Sequence, residues 1–136
     1  MVMQLLVYVF TACLFQASVG QMVGGWTPVE DTNSSDFQKI TDFAAEKITS
    51  ELRSNYKMRL MEILSAKKQL VAGMKYRFEM RLGATECKVK DNEDGSLCDF
   101  LHCGAVHTCN ATVWTRPWLS DTRLTNFSCE KEKGSC

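Results

Sequence analysis

Five residues in one short stretch, Cys98, His102, Cys103, His107 and Cys109, have the side chains and separations of a zinc site. A cysteine beside a histidine is also the raw material of a thiol nucleophile and its base. Both chemistries need free thiols, so the redox state of the cysteines decides between them and a structural role. Of the seven cysteines, Cys13 lies in a stretch of twenty N-terminal residues without Asp, Glu, Lys or Arg. The other six, Cys87, Cys98, Cys103, Cys109, Cys129 and Cys136, all fall in the C-terminal half.

The uncharged stretch holds an apolar block, Leu5 to Phe15, followed by Ser18-Val19-Gly20, and reads as a signal peptide over residues 1–20 with cleavage after Gly20. No Lys or Arg precedes the block, so the α-amino group alone supplies the usual positive charge. The block is too short to span a bilayer, and a helix of about 20 residues here would be interrupted by Gln4, Thr11 and Gln16. A single domain over residues 21–136 then follows, secreted and extracellular, with no membrane association after cleavage. An even cysteine count behind such a signal reads as disulfides formed in an oxidising compartment. Paired cysteines neither bind zinc nor attack a substrate, so no metal, cofactor or catalytic residue is expected.

All sixteen basic and all sixteen acidic residues lie beyond residue 20, for a formal net charge of zero. Nothing in that total suggests a nucleic-acid partner. Asn33, Asn110 and Asn126 each begin an Asn-x-Ser/Thr sequon, a weak pattern that makes them glycosylation candidates.

These residues must be positioned by a few elements. After the Met22-Val23-Gly24-Gly25-Trp26 segment, Pro28 to Ser35 is polar and aperiodic, which predicts a mobile arm. Phe37, Ile40, Phe43, Ala44, Ile48 and Leu52 recur at helical spacing behind a capping Ser34 or Ser35 and predict a helix over about 36 to 53. From Met74 to Leu82 apolar and charged residues alternate, the signature of a half-buried strand whose apolar face covers the helix stripe. Residues 57–70 suit an antiparallel neighbour, with Val71-Ala72-Gly73 as the turn between. Residues 88–107 are turn-rich and acidic, which predicts a loop. If Cys109 and Cys129 pair, the interval between them folds into a second hairpin with Pro117-Trp118 at its tip. The expected fold class is α+β, one amphipathic helix across an antiparallel sheet of four to five strands.

Three separated segments, in this order and at these distances, resemble the secreted, disulfide-bonded type 2 cystatins. Met22-Val23-Gly24-Gly25 is similar to that family's N-terminal segment, Gln69-Leu70-Val71-Ala72-Gly73 to its first hairpin loop, and Pro117-Trp118 to its second. Leu82-Gly83 before Cys87 and Cys98-Asp99-Phe100 also look like family residues, and the Gly-Gly-Trp start resembles arthropod and tick salivary members. The resemblance implies a reversible, tight-binding inhibitor of papain-like cysteine proteases, cathepsins L, S, B and H among them, and not an enzyme.

By that resemblance Met22 and Val23 fill substrate-like pockets, Gly24 and Gly25 let the arm turn into the groove, residues 69–73 sit over the catalytic centre, and Trp118 lies on the leaving-group side. A monomer is expected. Substituting Gly73 or Trp118 is expected to weaken inhibition with the fold intact. The resemblance also implies disulfides Cys87–Cys98 and Cys109–Cys129. Cys103 and Cys136, placed almost symmetrically outside the second hairpin, suggest a third, although six cysteines allow fifteen connectivities. The Ser-Asn-Asp-like sequence of legumain-inhibiting members is absent, the nearest match being Ser54-Asn55 two residues out of place, so no legumain inhibition is expected. The alternative is a secreted interaction module that keeps the scaffold without inhibiting; all three segments together favour the inhibitor.

Overall fold

The computed structural model describes residues 25–91 and 97–134. The expected signal peptide, Met22, Val23, Gly24, most of the acidic loop and Cys136 lie outside those residues. Strand β1 (Thr27–Pro28) leads to helix α1 (Ser35–Glu51), then to strands β2 (Tyr56–Val71), β3 (Gly73–Lys88), β4 (Val106–Arg116) and β5 (Asp121–Lys131). The strands form one antiparallel sheet in the order β1-β2-β3-β4-β5, with the helix laid across one face.

Helix α1 starts where the sequence predicts, because the Ser34 hydroxyl accepts a hydrogen bond from the Phe37 amide at 3.3 Å and so satisfies one otherwise unpaired N–H. The helix ends at Glu51 with Leu52 as its cap, and Arg53 just beyond turns left-handed (φ 53°). Its buried stripe is Phe37, Ile40, Ala44, Ala45 and Ile48, with Thr41 and Thr49 turning their hydroxyls back onto helix carbonyls. Facing it are Phe78, Met80 and Leu82 of β3 and Ala111 and Val113 of β4. Phe37 and Phe78 meet edge to face at 5.7 Å between centroids. Each large side chain so enclosed contributes roughly 1.5–3 kcal/mol, and this shared face holds the sheet rigid behind its loops.

Two expectations from the sequence need correction. The segment from Pro28 is not a free arm at its start: Thr27 and Pro28 pair with Lys68 and Lys67, and the Val29 amide donates to the Ala66 carbonyl at 3.1 Å. Proline suits this edge position because it has no N–H to leave unpaired. Strand β3 also runs on past Leu82 to Lys88. The alternation fails there because Gly83 and Ala84 are both buried, and Met61 and Phe100 close over Gly83 from the outer face. In the described parts of the 88–107 segment, residues 88–91 and 97–107, there are a 3₁₀ turn at Val89–Asp91, an isolated bridge from Phe100 to Thr85, irregular backbone as expected from Leu101 to Ala105, and β4 beginning at Val106.

Candidate functional site

The register brings both hairpin turns to one end of the sheet. Val71 pairs with Gly73 across the β2–β3 turn, Met74 pairs with Thr115, and Arg116 pairs with Asp121 across the β4–β5 turn. The two tips therefore sit side by side. Strand β1 runs antiparallel to β2, so Trp26 and Gly25 lie on the tip side of Thr27.

The first tip depends on Gly73. Its φ of +98° is a conformation that L residues rarely adopt, and a Cβ there would run into the Thr115 carbonyl oxygen of the neighbouring hairpin. Only a glycine lets the two hairpins approach this closely. Gly73 is buried while Leu70 and Val71 are 61% and 38% exposed. Ala72 is exposed too, and its carbonyl accepts a hydrogen bond from Trp114 Nε1 at 2.9 Å, which ties the first tip to the second hairpin.

The second tip is a 3₁₀ turn, Pro117–Leu119, with proline fixing the first position. It closes through Ser120, in the left-handed region, whose amide donates to the Pro117 carbonyl. Below the turn the Arg116 guanidinium pairs with Asp121, Arg123 reaches the other carboxylate oxygen at 3.0 Å, and Thr115 and Thr122 hydroxyls meet at 3.3 Å. Hydrogen bonds from Arg116 and then Arg123 hold the Asp121 carboxyl below its ordinary pKa. The Arg116 guanidinium also lies 4.3 Å from the Trp114 ring centroid. These contacts brace the turn, and Trp118 and Leu119 project from it 64% and 57% exposed.

A third fixture holds the base of the N-terminal segment. The Trp26 ring lies between the Arg77 guanidinium, 4.7 Å away, and the Lys67 ammonium, 5.6 Å away. Of the residues singled out in the sequence, the structure thus joins Gly25, Gln69, Leu70, Val71, Ala72, Gly73, Pro117 and Trp118 along one end of the sheet. Trp26, Trp114, Arg116, Leu119 and Asp121 complete the same end and were missed. Their alternation within strands was visible, but their contacts cross between hairpins and depend on register.

Cys87 is bonded to Cys98 and Cys109 to Cys129, the latter inside the core, and Cys103 is disulfide-bonded as well. The cysteines of the supposed zinc cluster are therefore oxidised. No group of His, Cys, Asp and Glu among the described residues is arranged to hold a metal. Asn33, Asn110 and Asn126 are all exposed. What the tips present is backbone and apolar surface, and contiguous apolar exposure on a braced rim is the mark of a surface made to be covered by another molecule.

Residues 24–118 match the family model described as the Cystatin domain. The chain is 32% identical over 132 residues to Cystatin-1 of Chilobrachys guangxiensis, covering 96% of this chain and 98% of that one. It is 31% identical over 121 residues to L-cystatin of Tachypleus tridentatus, covering 88% and 90%. The structure of dimeric human cystatin F superposes with a TM-score of 0.77 at 22% identity, covering 89% of this chain and 98% of that one. The salivary cystatin of the soft tick Ornithodoros moubata gives 0.67 at 24% identity, covering 79% and 97%. The chain belongs to the cystatin family, type 2-like in its two described disulfides, and stands among inhibitors and not among enzymes.

Proposed function

We propose that the chain is a secreted, reversible, tight-binding inhibitor of papain-like cysteine proteases that plugs the active-site cleft with its N-terminal segment and two hairpin tips. The observation that carries the reading is the braced apolar rim: Leu70, Val71, Trp118 and Leu119 are exposed on two adjoining turns locked together by the Trp114–Ala72 hydrogen bond. A groove-shaped site is blocked most simply by a blunt edge that offers no scissile bond in line with the nucleophile. A preformed rim loses little conformational freedom on docking, so a modest interface can bind tightly. On this reading Met22 and Val23 enter substrate-like pockets, Gly24 and Gly25 steer the arm, residues 69–73 cover the catalytic cysteine and Trp118 packs on the leaving-group side.

The same proposal includes cleavage after Gly20, a monomeric mature protein, a third disulfide from Cys103 to Cys136, and no inhibition of legumain. It also takes the arthropod, salivary-like origin suggested by the Gly-Gly-Trp start, and cathepsins L, S, B and H as the enzymes to assay. Plugging needs no reaction with the protease thiol. Papain whose catalytic cysteine is S-methylated is therefore expected to bind the protein to at least half saturation at micromolar concentration, as followed by calorimetry. Complete loss of binding to the methylated enzyme would contradict occlusion.

A further inference from the structure

The zero net charge conceals a strong separation of charge. Residues 63–78, the tip half of the β2–β3 hairpin, carry Lys67, Lys68, Lys75 and Arg77 and no carboxylate. Residues 25–51, the N-terminal strand and the helix, carry six carboxylates and two lysines. The register sorts the cations further. On the sheet face opposite the helix, Gln69, Lys75, Trp114 and Arg123 form one row across four strands, and Lys67, Arg77, Thr112 and Asn126 form the next.

These two rows lie directly behind the turn residues Val71, Gly73, Arg116 and Asp121 and hold four cations, with no acid of their own before Glu79 in the row that follows. Asp121, shared between Arg116 and Arg123, is the one carboxylate of the second tip and leaves that pair of arginines with net positive charge. With strands about 4.8 Å apart and residues about 3.3 Å along each strand, the shelf is roughly 14 Å by 7 Å and begins about 7 Å from the turns. That is within one Debye length at physiological salt, about 8 Å.

We propose that this cationic shelf is an electrostatic guide that draws in papain-like proteases with an acidic cleft rim and sets the order in which such enzymes are captured. The inference rests on the inhibitory reading above and adds which members of the enzyme class are preferred. Position supports it: a protease seated on the two tips brings its own rim over Lys75 and Arg123, so the shelf is continuous with the proposed interface. A sulfated polysaccharide is the other anion to consider, but the shelf is short and closed on its far side by Glu79. Complementary charge beside an interface acts mainly on encounter, raising the association rate and making it fall with salt.

The test is stopped-flow association of the oxidised protein with two papain-like proteases, one of acidic and one of basic net charge. With the acidic enzyme the association rate is expected to fall about tenfold between about 25 and about 300 mM ionic strength. With the basic enzyme it is expected not to fall. The double variant K75E/R123E should lose about tenfold in association with the acidic enzyme at low salt and show a flattened salt dependence. K75Q/R123Q should lie between, and thermal melting identifies any variant that fails to fold.

An association rate that ignores both salt and the two double variants would overturn the proposal, as would an effect confined to dissociation. Retention of the wild type on immobilised heparin above about 0.3 M salt, lost in K75E/R123E while protease association stays unchanged, would overturn it in favour of a polysaccharide site. Absence of inhibition of both enzymes would instead remove the inhibitory reading on which it rests.

Discussion

Trp118 and Gly73 stand on neighbouring tips but act differently. The Trp118 ring is 64% exposed, so its removal opens no cavity. Trp118→Ala is expected to leave unfolding stability within about 0.5 kcal/mol and to cost about 2 kcal/mol of binding, a roughly 30-fold rise in the inhibition constant for papain. Gly73 departs from the expectation that its substitution spares the fold, because the new Cβ meets backbone and the φ is positive. Gly73→Ala should lower stability by about 1–3 kcal/mol as well as weaken inhibition, with both effects visible in parallel denaturant and inhibition titrations. Trp114→Phe keeps the ring and deletes the donor to Ala72, so it should cost about 1 kcal/mol or less in stability and loosen the coupling of the tips. Gly73 and Trp118 were legible because they sit in recognisable short segments. Trp114 was not, since its partner lies 42 residues away and is chosen by strand register.

Among the elements, the helix and the alternation of β3 were readable from spacing because each buries one face against the other. The bulges of β2, after Tyr56, Leu60 and Ile63, were not. They break the period of two that would have announced the strand. The far end of the sheet is closed by Arg81, which donates two hydrogen bonds to Glu132 at 2.8 and 3.0 Å and one to Glu62 at 3.1 Å. Arg81, and then the Thr108 hydroxyl, hold the Glu132 carboxyl below its ordinary pKa of 4.5. His107, in the adjoining strand, is also shifted down, by burial and then by Lys131, and its Nδ1 is buried without a hydrogen-bond partner among the described residues.

Both shifts have one sign. The folded state prefers neutral His107 and ionised Glu132, so their stabilisation is complete above the ordinary values of 6.5 and 4.5. It is lost as pH falls from those values through the lower folded ones. Urea unfolding is therefore expected to weaken in two stages on acidification, the second of which Glu132→Gln should flatten. A midpoint constant from pH 7 to pH 3 would contradict this.

For the molecule as a whole, the two described disulfides close loops across separations of 11 and 20 residues, Cys109–Cys129 joining β4 to β5 within the core. Opening either loop restores freedom to the unfolded chain, so replacing Cys109 and Cys129 together by Ala should cost roughly 3 kcal/mol in stability. The α+β class, the two hairpins and their common purpose could be argued from cysteine placement and three short segments. The tethering of Trp26 by Lys67 and Arg77 could not, because a polar, aperiodic segment gives no sign of pairing with a strand some forty residues on.

All of these scales meet in one claim, that a stiff rim blocks a cysteine-protease cleft. The most direct measurement is titration of active-site-counted papain with the folded, oxidised protein. The account predicts that residual activity falls linearly to near zero at a 1:1 ratio and that the inhibitor is recovered uncleaved. Undiminished turnover at a several-fold excess, with the protein shown to be folded, would contradict it.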